Sequence, residues 1–560
     1  QVDVYGPDGE TLEIRPALVT PAGPEDAQLS DGAQAGGKYF LQDVTGAESK
    51  EALDSILHKN SGLIFLEVWQ GISRYFQAKV DSGEFQKFPQ DKVYATLKNL
   101  NVWLSEPAID VYTKRGILKA IGSERWKDIN TAFEKEVKFG TAGVRSLAAV
   151  GEEDLQELDK NGFKAEILKG PGTINTVTLA QVTAKVAKAF LKKDKSRVAL
   201  TYDSRIYGKA LADYVAAIFL KYGFTVFLFD ESSPMPEMSY ATASLSLDLG
   251  ILISASHNAS EYNGYKVSNH MGAQLDPVTR NAVLKEEVTF EEVREIIKAA
   301  VSLDDPFAVY KISETSDELG PLVEKYSTDH PEKVVVLGAY DIDKDSRGRR
   351  HINIHDRHAD HVFSHILDEG MVRQWASKLK VVYSPFYGNG LQAFIRTVVD
   401  RLHLLRENII VVGEYAQMNG FFPRFRYRKV EGKADPIIPD PGNSAGQAFA
   451  WELVMEDLIR QHGGDVAVAL KGVDAFFGTD PDADRFGNQV TFGENGLPTG
   501  LESIQALFKD RIPESEIPRV AQLISHVVEK NLRAEVGYAG TKLISANDAW
   551  TIINKYRIDR

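Results

Sequence analysis

The chain contains no cysteine. Disulfides and thiolate metal sites are therefore excluded, although this absence alone does not fix the compartment. Long apolar runs are also missing: stretches such as Tyr214 to Leu220 fall far short of the ~20 residues a membrane span needs, so no span is expected. Positive charge is in deficit. With 65 Lys+Arg against 79 Asp+Glu the formal charge is −14, which favours solubility and gives no support to nonspecific nucleic-acid binding. A phosphate ligand would then need local basic residues. The opening residues QVDVYGPDGE lack the basic start and apolar core of a secretory signal, and a cytoplasmic protein is the simplest reading. No internal repeat and no long low-complexity linker is evident.

At 560 residues the chain is too long for one core, and about three to five domains are expected. Because it begins with Gln1 rather than methionine, a fragment or trimmed chain is the expectation. Residues 1–45 are rich in Gly, Pro and acidic residues, and a hairpin around Gly6-Pro7-Asp8-Gly9 is predicted. From Glu48 to about Glu136 the pattern turns helical and aromatic. Between Thr176 and Ser254 helices and apolar strands alternate: Leu179, Val182, Val186 and Phe190 share a helical face, and SRVALTY, FTVFLFD and LGILIS read as strands. The alternation returns over roughly 376–490 with KVVYS, LQAFIRTVVDRL, NIIVVG, AFAWELVMEDLIRQ and VDAFFG. Strands joined through helices favour buried parallel sheets, with ligands gathered at the carboxyl ends of the strands.

Two loops lie at such ends. After LGILIS comes SASHNASEYNGYKV, carrying Ser256, His257, Asn258 and Lys266. A serine there can be a nucleophile, with His257 or Lys266 as acid, base or phosphate partner; taken alone, the segment reads more simply as a polar turn cornered at Asn263-Gly264. After VDAFFG comes GTDPDADRFG, with Asp480, Asp482 and Asp484 at alternate positions. Such a set of oxygen ligands suits a hard cation such as Mg²⁺. An EF-hand is excluded, because its sixth position is Arg485 and its twelfth Thr491. A third segment, KFGTAGVR, lets backbone amides at Gly140, Thr141 and Gly143 approach an anion while Arg145 supplies charge. It has neither P-loop nor G-x-G-x-x-G spacing.

KFGTAGVR, TYDSR, DESSPMPEMSY, SASHNASEYNGYK, VVYSPFYGNG, NGFFP and TDPDADRFG stand in the order in which α-D-phosphohexomutases carry their equivalents. The chain resembles that superfamily over about residues 100–490, most nearly its long phosphoglucomutase and phosphopentomutase branch. The resemblance implies successive mixed-sheet α/β domains after an N-terminal helical extension. The expected boundaries are 1–125 for the extension, 126–375 for a first domain with the phosphoserine loop, 376–490 for a second with the metal loop, and 491–560 for an insertion and the start of a third.

It further implies that Ser256 is the phosphoserine and that Ser256, Asp480, Asp482 and Asp484 surround Mg²⁺. His257, Lys266 and Arg145 would join in catalysis, while Thr141, Asn258, Arg205 and Arg485 would bind substrate or phosphate. Lys266 is the best candidate general base, a role that requires a lowered pKa. The implied activity interconverts a sugar 1-phosphate and 6-phosphate, glucose first, with glucose 1,6-bisphosphate as primer; mannose and pentose phosphates are alternatives. A metal-dependent serine phosphatase and a non-catalytic phosphosugar-binding protein are rivals of other classes. The expected partner is a small phosphosugar; oligomeric state is not readable.

Departures from the pattern are Ala259 for proline, Ser254 for threonine, Ser146 for glycine and Tyr387 for histidine. The sugar-reading and remote-phosphate loops are not found, GEYAQ at 413–417 belonging to an earlier segment. The chain is accordingly expected to be poor at turnover by itself. Residues 507–542 read as an insertion. His351, His355, His358, His361 and His365 would share one stripe if 351–365 were helical; with Asp356 and Asp360 they could make a zinc site, but a polar helix face is the simpler reading and no tightly bound transition metal is expected.

Overall fold

The computed structural model describes residues 3–5, 11–13, 50–140, 143–192, 196–300, 321–366, 369–411, 413–426, 438–441, 460, 463 and 475–490. The predicted hairpin is present, with β1 (Asp3–Tyr5) antiparallel to β2 (Thr11–Glu13) and Val4 opposite Leu12. Helices then run over Lys50–Asp81, Gln90–Ser105, Val111–Gly122 and Trp126–Phe133. Leu53, Leu57, Ile64, Val68 and Ile72 recur at helical spacing along the first and are all buried. Asp110 caps the third by accepting the amide of Thr113 at 2.8 Å. The helical region is not a separate body: Trp103, Ile117 and Phe133 belong to the same apolar core as Val198 and Leu200 of the first sheet.

That sheet contains β3 (Val144–Leu147), β4 (Arg197–Tyr202), β5 (Thr225–Phe229), β6 (Leu249–Ile253), β7 (Tyr262–Asn269), β8 (Val334–Gly338) and β9 (Arg350–Asn353). Its order is β3-β7-β6-β4-β5-β8-β9. The strands from β6 to β9 pair in parallel, whereas β7 is antiparallel to both β6 and β3. Parallel strands are covered on both faces, which explains their nearly unbroken apolar sequences. Val198, Leu200, Val226 and Leu228 face one core; Ala199, Phe227 and Phe229 face another with Met238 and Ile354. The helix Thr176–Phe190 starts at a capping box in which Asn175 Oδ1 accepts from Thr178 N and Thr178 Oγ1 accepts from Asn175 N.

The second sheet has the order β11-β10-β12-β13. Its strands are β10 (Val381–Ser384), β11 (Ile409–Val411), β12 (Ala475–Thr479) and β13 (Phe486–Val490). β10 is parallel to β11 and β12, and β13 closes antiparallel on β12. Behind it Val381, Tyr383 and Ile409 pack on the helix Gly390–Val398, the Tyr383 and Phe394 rings stacking at 3.9 Å.

Two expectations are corrected. Asn263 and Gly264 do not form a turn corner; they lie inside β7, opposite Ser146 and Arg145. A Cβ on Gly264 would stand 2.3 Å from Ser254 O and 2.8 Å from Val144 O, so glycine admits a close approach here. The histidine stripe also breaks. His351 is in β9, and the helix covers only Ile354–Phe363, capped by Asn353. Nor is that helix simply polar-faced, since His355 and His358 are buried. His355 Nδ1 lies 2.7 Å from Glu237 Oε1, while His351 Nε2 lies 3.0 Å from Asp345. The expected helix around AFAWELVMEDLIRQ, the insertion at 507–542 and the start of a third domain lie outside the described residues. Among the described residues, no helix is long and apolar enough to cross a membrane.

Candidate active site

β6 ends at Ile253 and β12 ends at Thr479, and the loops leaving these two carboxyl ends meet. Ser256 is fully buried, with a φ of +56° that L-residues rarely adopt. Its hydroxyl donates to Asp480 Oδ2 at 2.5 Å and lies 3.2 Å from His257 Nδ1. Ser254 fixes the turn, accepting the Ser256 amide at 2.8 Å while its own hydroxyl donates to Asp482 Oδ2. The serine at this position thus supplies the hydrogen bonds available to the threonine it replaces.

Asp480, Asp482 and Asp484 each offer an oxygen within 4.8 Å of the others'. Their loop is held by contacts from both sheets. Met235 N donates to Asp482 O at 2.9 Å, Asn389 N donates to Pro481 O at 3.0 Å, and Arg485 N donates to Asp480 Oδ1 at 3.0 Å. Burial, with Asp482 and Asp484 close by, pushes Asp480 well above the usual carboxylate range. Asp482 goes the other way: burial would raise it, but the Lys266 ammonium together with hydrogen bonds involving Ser254 and Asp480 lowers it.

The residues fit a divalent ion. All three donors are hard oxygens, Asp482 Oδ1 is buried without a hydrogen-bond partner, and one ammonium faces the crowded carboxylates. That ammonium is Lys266 Nζ, 2.5 Å from Asp482 Oδ2 and 2.6 Å from Asp484 Oδ2. Burial alone would lower the Lys266 pKa, but the two aspartates outweigh it and raise it. This is the reverse of what a general base requires, so Lys266 stands in the structure as a cation.

The other candidates take distinct places. Arg145 is exposed on β3, at the mouth near His257. Burial and the Arg485 charge push His257 down to about 4, leaving a neutral imidazole. Arg485 donates to Asp440 Oδ2 at 2.8 Å, and His257 Nε2 lies 3.9 Å from the same oxygen. Asn258 follows the serine, with its backbone amide donating to Ala255 O. Thr141 lies outside the described residues. Arg205, expected to meet phosphate, turns away from the mouth and into the serine loop, where it binds backbone carbonyls.

Three members went unread in the sequence. Asp440, between Pro439 and Pro441, joins Arg485 and His257 across sheets; its only local signal was an acidic residue locked between prolines. Asn389, within VVYSPFYGNG, donates to Tyr202 O and Ser232 Oγ and so ties the second sheet to the first. Asp203 lies beneath the site, where burial raises it to about 6.

Residues 136–293 match the family described as phosphoglucomutase/phosphomannomutase, alpha/beta/alpha domain I. A phosphoglucomutase of Staphylococcus haemolyticus is 26% identical over 404 residues, spanning 71% of this chain and 57% of its own. One from Staphylococcus saprophyticus is 32% identical over 149 residues, 26% of this chain and 24% of its own. The chain thus spans little more than half the length of the first relative and about a quarter of the second. A solved structure of the Paramecium phosphoprotein pp63/parafusin, a phosphoglucomutase, covers 75% of each chain at 11% identity and TM-score 0.38, too slight a likeness to add weight. The matched region contains β3 through β7 with the serine loop, and together these likenesses support a place for the chain in the α-D-phosphohexomutase superfamily.

Proposed function

We propose that the chain is the catalytic part of a phosphosugar mutase that interconverts glucose 1-phosphate and glucose 6-phosphate through a phosphoserine at Ser256 and a glucose 1,6-bisphosphate intermediate. The observation that carries this reading is the direct contact between a buried serine hydroxyl and the first of three clustered aspartates contributed by another sheet. Asp480, Asp482 and Asp484 would hold Mg²⁺, which supplies charge stabilisation to phosphoryl oxygens.

In the priming direction Oγ of Ser256 attacks a phosphoryl group of the bisphosphate. The new Oγ–P bond forms as the P–O bond to the sugar breaks, leaving a sugar monophosphate. The Oγ proton has two acceptors in reach, Asp480 Oδ2 and His257 Nδ1. With the carboxylates engaged by a metal, the neutral imidazole is the acceptor left. Arg145, Lys266 and Arg485 surround this point with positive charge, which an overall acidic protein must concentrate locally to hold a phosphosugar. Burial of Ser256 limits access of water, consistent with transfer between hydroxyls rather than hydrolysis.

The test is intact-protein mass spectrometry after incubation with glucose 1,6-bisphosphate and Mg²⁺. One phosphoryl adduct mapped to Ser256 is expected. An adduct on another residue, or steady release of inorganic phosphate from glucose 1-phosphate, would overturn the mutase reading.

A further inference from the structure

Arg205 is a buried arginine with an unusual set of partners. Its Nη1 donates to Ala259 O at 2.8 Å and Tyr262 O at 2.7 Å. Its Nη2 donates to Ser256 O at 2.7 Å and to Asn258 O. One planar fork therefore binds four carbonyls within seven consecutive residues, and the first of them is the nucleophile's own. The base of the fork is fixed as well: the Arg205 amide donates to Asp203 Oδ1 at 2.9 Å, and Nε faces Asp203 Oδ2 at 3.5 Å.

The guanidinium is closed over from the other side. Its Cζ lies 5.2 Å from the centre of the Phe422 ring, which belongs to the segment after β11. That segment is pressed against the turn carrying Arg205: a Cβ on Gly420 would fall 2.3 Å from Ile206 N and 2.6 Å from Ser204 O. Phe422 itself has a φ of +47° and is buried.

Ser256 needs such a brace. A left-handed serine is strained relative to a relaxed one, and the conformation persists only if its surroundings over-determine it. Lysine could not replace this fork, since an ammonium is a point donor and cannot span four carbonyls in a plane.

We propose that Arg205 is the positioning residue of the Ser256 loop, and that Phe422 clamps it from the second unit, so that the nucleophile's geometry depends on that unit being seated. The inference deepens the mutase reading and, for its kinetic arm, rests on it.

The test compares the full chain with Arg205→Lys, Arg205→Ala and Phe422→Ala. Hydrogen exchange over residues 255–262 reads the clamp whether or not the serine accepts phosphate. Exchange there should rise about tenfold or more in both Arg205 variants and less in Phe422→Ala, with the helix Thr176–Phe190 unchanged. Millimolar guanidinium should restore protection in Arg205→Ala but not in Arg205→Lys. The first-order rate of Ser256 phosphorylation by saturating glucose 1,6-bisphosphate should fall about 100-fold, the scale of a displaced reacting group, while the bisphosphate concentration at half-maximal rate changes little. Unchanged protection of 255–262 in any folded Arg205 variant would overturn the proposal, as would a loss expressed only in bisphosphate affinity. Failure of the unsubstituted chain to phosphorylate Ser256 would instead sink the mutase reading, and the exchange comparison would still decide the clamp.

Discussion

Among the described residues the first sheet has seven strands and one of the cores covering it runs from Leu53 to Val334, whereas the second has four, with an apolar cluster centred on Val381, Tyr383 and Ile409. The proposed nucleophile, Ser256, is on the larger body and the proposed metal loop on the smaller. Each half is incomplete: Ser256 has its closest side-chain partner in Asp480, and Asp482 has its counter-charge in Lys266 of β7. Rigid support is thus given to the group that must be held in an uncommon backbone conformation. The metal loop is held by the seam itself, through Met235, Asn389 and Lys266.

The sharpest way to break this arrangement is Asp480→Asn. Phosphorylation of Ser256 should fall at least ~1000-fold, on the scale of losing a group that organises transition-state charge. Stability should move the other way. One of two buried carboxylates crowded beside Asp484 disappears, so the metal-free melting temperature should rise by about 2–4 °C, and the increase expected from Mg²⁺ in the parent chain should vanish. Near-normal phosphorylation with Mg²⁺ would refute the triad.

Damage confined to the larger sheet should look different. Gly143 has a φ of +97°, and a Cβ there would meet Tyr265 O at 1.9 Å, so Gly143→Ala should cost about 3 kcal/mol in urea unfolding by combining backbone strain with overpacking. A cost below ~1 kcal/mol would mean that β3 is free to shift.

The seam should also respond to pH through His355. Burial would lower its pKa, but Asp230 and Glu237 outweigh burial and the opposing Arg396 charge, raising it to about 9. The Glu231 carboxylate faces the same ring at 3.4 Å. With the folded value above the unfolded one, the contribution is fully present below about pH 6.5 and is lost as pH rises through about 9. On the order of 3 kcal/mol is at stake. His355→Gln should flatten the stability profile across that window; an unchanged slope would show that another group carries it.

Arg401→Ala marks the lower end. Its bonds to Asp356 and Asp360 join the helix Ile354–Phe363 to the second unit, but the pairs are solvent-accessible and should contribute no more than ~1 kcal/mol, less at high salt.

What was readable from sequence followed from local regularities. Val198 to Tyr202 and Leu249 to Ile253 announce buried strands by composition, and the alternate spacing of Asp480, Asp482 and Asp484 suits a cation, although the loop taken alone reads as readily as a solvated acidic turn. Long-range contacts were not readable. Asp440 acquires its role only when Arg485 and His257 arrive from distant segments, and the direction of the Lys266 shift is set by carboxylates more than 200 residues away in the chain. His351 was misplaced because a helical spacing of histidines says nothing about where Asn353 starts the helix.

The contact between Ser256 and Asp480 spans 224 residues of sequence. At synthesis rates of ~5–20 residues per second, the serine leaves the ribosome about 11–45 s before the aspartate that engages it. During that interval the larger sheet can emerge through β9 while the nucleophile lacks the loop that completes its site. On the mutase reading, a nascent chain would therefore be chemically silent until the second sheet has been made and docked.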